Sequence, residues 1–116
     1  MGKPYDLEER TLLFAKDVVR LCKKTPRDSV NSRIVGQLVG AAGSVGANYR
    51  EANEKLGKKD FAYRLRISRK ECKEATYWLE ILKEANDCFI GEANSLIVES
   101  KELRNILTSI LAKAES

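Results

Sequence analysis

The sequence predicts an all-α fold, an antiparallel up-down-up-down four-helix bundle occupying residues 1–116 as a single domain. Three observations lead there. Apolar residues recur at three and four along most of the 116 residues. The only prolines are Pro4 and Pro26, each placed where a helix would begin. The segments between the periodic stretches are short and polar, which favours antiparallel neighbours. With 43% apolar and 33% charged residues, the chain suits a real core wrapped in long solvated helices.

The first helix is expected from Asp6, whose carboxylate can cap free N–H groups, with Glu9 three residues on as in a capping box. Leu7, Thr11, Phe14, Val18 and Leu21 form its core stripe. Leu12 and Val19 point about 140–160° away from Phe14 at ~100° per residue, a second small apolar face that suits contact with another subunit. Lys23, Lys24, Thr25 and Pro26 end the helix.

Asp28 or Ser29 can cap the second helix, expected to run to about Glu54. Val30, Ile34, Leu38, Ala41, Val45, Tyr49 and Ala52 supply its stripe. Gly36, Gly40, Gly43 and Gly46 lie inside it, each costing about 1 kcal/mol against Ala. Gly36, Gly40, Gly43 and Ala47 read as a groove in which another backbone can approach closely. A phosphate-cradling loop would need a preceding strand and a Gly-Lys-Ser/Thr ending, which this segment lacks.

After a turn at Lys55–Lys59, the third helix is expected from Lys58 or Asp60 to Ala85, with three faces. Phe61, Leu65, Ser68, Cys72, Ala75 and Leu79 form the core stripe. Lys59, Arg66, Lys70, Lys73 and Tyr77 form a basic stripe. Tyr63, Ile67, Trp78 and Ile81 lie on a third side, apolar enough to suggest an oligomer interface, although a wide core face packed on two neighbours would also account for them. Asn86, Asp87 and Gly91 make the next turn. The fourth helix is expected from about Glu92 to Ala114, its stripe built from Leu96, Leu103, Leu107, Ile110 and Ala114.

Charge is unevenly distributed. Residues 1–73 carry 17 basic and 9 acidic side chains, and residues 74–116 carry 4 and 8, so the halves stand at +8 and −4. Residues 55–73 alone reach +6, an electrostatic footprint for an anionic partner or, more plainly, a solvated face. Lys55, Lys58, Lys59, Arg66, Arg69, Lys70 and Lys73 are the candidate nucleic-acid contacts, with Tyr77 able to stack on a base. The acidic C-terminal part would suit a basic protein partner instead.

Several chemistries are excluded. The chain has no histidine, which removes Ser–His and Cys–His nucleophilic pairs and histidine metal ligands. Glu71-x-x-Glu74 lacks the His of a bundle-type two-metal motif. Glu9, Glu51 and Glu71 could converge as a carboxylate cluster or pair with Arg10, Arg50 or Arg69. No catalytic residue, metal site or cofactor is expected, and the chain reads as a binding or assembly module, not an enzyme. No apolar run approaches the ~20 residues of a membrane span, and the N-terminus has no apolar core of a secretory signal. Cys22, Cys72 and Cys88, odd in number and widely spaced, fit small core residues in a reducing cytoplasm.

The residues themselves resemble a known family. Tyr5-Asp-Leu-Glu-Glu-Arg-Thr-Leu12 and Phe14-Ala15 open the pattern. Gln37-Leu38, Ala42-Gly-Ser-Val-Gly-Ala-Asn-Tyr-Arg-Glu-Ala52, Asp60-Phe61, and Glu71, Glu74, Tyr77, Trp78 and Leu79 continue it to about residue 82. The chain resembles the four-helix bundle proteins encoded in intervening sequences of bacterial 23S ribosomal RNA genes, some of them labelled ribosomal proteins. It is also similar to the accessory protein of diversity-generating retroelements, a basic pentameric barrel that engages reverse transcriptase and nucleic acid. Gly43 departs from the family, which more often has a polar or small hydroxylated residue there. The resemblance implies a ring-forming bundle, with a homopentamer expected. Its implied partners are RNA or DNA through the basic face, with a protein-interaction scaffold as the alternative.

Overall fold

The computed structural model describes residues 6–54 and 56–116. The described residues form four α-helices: α1 (Leu7–Lys24), α2 (Ser29–Ala52), α3 (Lys58–Ala85) and α4 (Ile90–Glu115). A 3₁₀ turn, Asp87–Phe89, leads straight into α4, so that helix begins before the expected Glu92 and Gly91 lies within its first turn.

Local chemistry sets the ends. The Asp6 carboxylate accepts from the Glu8 and Glu9 N–H groups, Glu8 and Glu9 face the positive end of the α1 dipole, and Lys23 and Lys24 face its negative end. Asp28 caps α2 by accepting from the Asn31 N–H at 2.8 Å. Gly57, at φ 115°, makes the reversal into α3 that a side chain would resist.

Cross-helix contacts show the direction of every helix. Glu8 meets Asn53 and Thr11 meets Gly46, so α1 and α2 are antiparallel. Asn31 meets Asn86 and Ser68 meets Val45, and Thr76 meets Ser100 and Lys83 meets Asn94, giving the same relation for α2–α3 and α3–α4. The bundle closes through ion pairs between α1 and α4, Arg10 to Glu99 at 2.7 Å and Lys24 to Glu92 at 2.5 Å. Packing is most extensive where α3 lies along α2 and α4, while the α1–α4 seam is narrow and polar. The molecule is correspondingly flat, 44 × 32 × 19 Å, its long axis close to the ~42 Å that 28 helical residues span.

The core runs through Phe14, Val18, Leu38, Val45, Leu65, Leu79, Leu103 and Leu107, all essentially inaccessible. The helical phase differs in places from the expected one. Val30 is 59% exposed, because Asn31 occupies the core-facing position of the first turn of α2. Ala62 rather than Phe61 begins the buried row of α3, which ends on Leu82. Leu111 replaces Ile110 on α4, and Ile110, Phe61 and Tyr49 are half-buried against the core edge.

The buried side chains of Thr11, Thr25, Asn31, Ser68, Asn86 and Ser100 are hydrogen-bonded, whereas Asp60 Oδ2 and Arg64 Nε are shielded from solvent without a hydrogen-bond partner among the described residues. Thr11 Oγ1 donates to the Leu7 carbonyl at 2.9 Å, and Ser68 Oγ donates to the Val45 carbonyl at 2.6 Å. Asn31 and Asn86 exchange two amide hydrogen bonds at 2.9 and 3.0 Å, joining the start of α2 to the end of α3. Gly36, Gly40 and Gly43 are exposed with nothing near a built Cβ, so the expected groove seats no helix of its own chain. Gly46 is the position of close approach: a Cβ there would stand 2.9 Å from Thr11 Oγ1.

Candidate nucleic-acid interface

The first half of α3 carries the basic face, and the helix fixes its geometry. Lys59 to Tyr77 spans 18 residues, about 27 Å at 1.5 Å per residue. Lys58, Lys59, Lys70 and Lys73 are exposed, and Arg69 is half-buried. None of these five has an acidic partner among the described residues, whereas Arg64 pairs with Asp60 at 3.7 Å. Arg66 is also engaged, by Glu115 at the end of α4. Lys55 lies outside the described residues.

Lys58 and Lys59 sit in the first turn of α3, where no side chain caps the free N–H groups. Two cations there oppose the helix dipole, at about 0.3–1 kcal/mol each. The same arrangement makes that end attractive to an anion. Asp60 is the only acidic residue of that turn.

The stripe is not one flat ribbon. Arg66 turns to α4, reaching Glu115. Lys70 turns to α2, where it lines a shallow polar groove with Glu71, Glu74, Gly36 and Gly40. Arg104, on α4, is a basic residue that reading α3 alone missed. It approaches Cys72 closely enough for its charge to oppose the upward push of burial on that thiol. The antiparallel α3–α4 register could have located it once Thr76 and Ser100 were paired.

Tyr77 is 60% exposed and meets Trp78 edge to face, with ring centroids 5.3 Å apart. The Tyr77 side chain is thus largely open to solvent. Of the expected interface residues, Val19 and Tyr63 are exposed at 40% and 55%. Leu12 and Ile67 are half-buried, and Trp78 and Ile81 pack partly against the core, so the third side of α3 is continuous with the core edge. Leu13, 53% exposed, was not anticipated.

The carboxylates do not converge. Glu9 and Glu51 are exposed, and Arg10 pairs with Glu99 and Glu102 on α4 rather than with Glu9, while Arg50 approaches Glu8 at 4.0 Å. Among the described residues no group of three His, Cys, Asp or Glu side chains is placed to hold a metal ion. Cys22 and Cys72 are buried and free, and burial pushes their thiols up to about 11 and about 12. Cys88 is exposed on the 3₁₀ turn. Among the described residues no helix is long and apolar enough to cross a membrane.

The profile of the 23S rRNA-intervening sequence proteins matches residues 5–109, nearly the whole chain. The chain belongs to this family. Its fold is similar to the 1.70 Å crystal structure of a protein of unknown function from the S23 ribosomal protein family of Bacteroides thetaiotaomicron VPI-5482. The two share 29% identity over 91% of this chain and 98% of the other, with a TM-score of 0.80. No curated protein matches the chain. The family resemblance seen in the motifs is therefore correct, and the helical fold with it.

Proposed function

We propose that this protein is a non-enzymatic, self-associating helical bundle, a homopentamer in the expected form, that contacts RNA or another nucleic acid through the basic face of α3. The observation that carries the reading is the unpaired charge of Lys58, Lys59, Arg69, Lys70 and Lys73 on one helix. Lys59, Lys70 and Lys73 share one stripe at helical spacing, which suits a phosphate backbone, with Lys58 and Arg69 flanking it and Tyr77 adding a stacking surface. Contacts of this kind are driven by charge and show little sequence preference. A ring would repeat the face around its axis and add weak contacts through avidity. Free, buried Cys22 and Cys72 support residence in a reducing cytoplasm.

The test is light scattering on a sizing column at low and high salt, with absorbance followed at 260 and 280 nm. The reading expects a mass of about five subunits and co-eluting nucleic acid that high salt strips off. A clean oligomer that neither carries nor binds nucleic acid would move the function to a protein scaffold. A monomer at all concentrations would remove self-association.

A further inference from the structure

Two apolar faces of this molecule carry opposite charge. The first is a cleft between α1 and the start of α2, lined by Val19, Val35 and Val39 and continuing along α1 to Ala15. Its rim holds Lys16, Lys23 and Arg27, which have no acidic partner among the described residues, while Arg20 is neutralised by Asp17 at 2.8 Å. The second is the α2-facing flank of α3, where Ile67, Trp78 and Ile81 are half-exposed. Beside them stand Glu71 and Glu74, also without a basic partner among the described residues, bordered by Lys70. The two faces lie on opposite sides of the exposed surface of α2.

We infer that these faces bind each other between copies, the basic-rimmed α1–α2 cleft of one subunit receiving the acidic-rimmed α3 flank of the next. The inference rests on the self-association proposed above and specifies its contact. Charge decides against the alternative. A two-fold contact centred on the cleft would set that face against itself, bringing Lys16, Lys23 and Arg27 onto their own copies, and like charges across an interface are costly. Joining unlike faces removes that repulsion and matches apolar surface to apolar surface. Such a head-to-tail contact leaves each subunit with one free face at either end, so it closes only as a ring.

Charge reversal tests the pairing. Lys23→Glu with Arg27→Glu alters only the cleft rim, and Glu71→Lys with Glu74→Lys alters only the flank. Each pair is expected to weaken self-association by at least about tenfold, read as loss of mass by light scattering, with helicity by circular dichroism unchanged. The chain carrying all four reversals is expected to recover the wild-type mass. A wild-type oligomer indifferent to either reversal, or a four-fold variant that stays dissociated, would overturn the pairing while leaving self-association intact. If a reversal lowers helicity, Lys23→Gln with Arg27→Gln and Glu71→Gln with Glu74→Gln are compared instead. The pairing then requires the wild-type oligomer to dissociate with rising salt and both neutral variants to have lost that dependence.

Discussion

The Asn31–Asn86 pair offers the sharpest test of how the bundle is held in register. Both side chains are almost fully buried, at 4% and 7% exposure. The Asn31 Nδ2 donates to the Pro26 carbonyl at 2.9 Å and to Asn86 Oδ1 at 3.0 Å. In return, Asn86 Nδ2 donates to Asn31 Oδ1 at 2.9 Å and to the Leu82 carbonyl at 3.0 Å. Asn31→Ala removes three bonds, as does Asn86→Ala, and each bond contributes about 1 kcal/mol net. Each single change should cost about 3 kcal/mol. Two of the three bonds are shared, so the double change should cost about 4 rather than about 6 kcal/mol, a coupling of about 2 kcal/mol. Urea unfolding followed by the fluorescence of Trp78, the only tryptophan, at fixed protein concentration, measures all four corners of the cycle. Additive costs, with coupling inside about 0.5 kcal/mol, would show that the two amides do not bond each other and would refute this account of the α2–α3 register.

Other expectations follow from the same contacts. Gly43→Ala, where a Cβ meets nothing, should stabilise the subunit by up to about 1 kcal/mol. Gly46→Ala, which drives a methyl against Thr11, should destabilise it by about 1–3 kcal/mol, with the sign of both changes visible in thermal melts. A thiol reagent at pH 8 should label Cys88 quickly and leave Cys22 and Cys72 untouched until the chain unfolds. Those two thiols keep their protons to about 11 and about 12 in the fold against 9.0 otherwise. The folded state therefore binds more protons than the unfolded one above pH 9. Their contribution to stability should be complete below that point and should fall as pH climbs toward 11–12, which Cys22→Ala with Cys72→Ala would flatten in a pH series of urea midpoints.

Much of the fold was legible because helical periodicity and caps are local signals. Asp6 and Asp28 cap where their carboxylates predict, and Phe14, Leu38, Leu65 and Leu103 lie in the core as their spacing requires. Errors of one position arose where two apolar or small residues stand side by side. Phe61 and Ala62, or Ile110 and Leu111, cannot be ranked from one helix alone, because the neighbouring helix decides which points inward. Asn31 was missed as a core residue because its burial depends on Asn86, 55 residues away. The basic face was legible as composition, but its division was not: the Arg66–Glu115 contact and the approach of Arg104 both depend on α4 lying antiparallel to α3.

The central claim, that unpaired cations on α3 bind nucleic acid, is tested most directly by a salt titration of RNA affinity. Wild-type protein is compared with Lys59→Ala, Lys70→Ala, Lys73→Ala in one chain, using a single-stranded RNA of mixed sequence. Three lost phosphate contacts should weaken binding and reduce the slope of log affinity against log salt by about 2 per subunit engaged, at about 0.7 per contact for a single strand. An unchanged slope and affinity in the triple variant, with its helicity and mass intact, would contradict the claim.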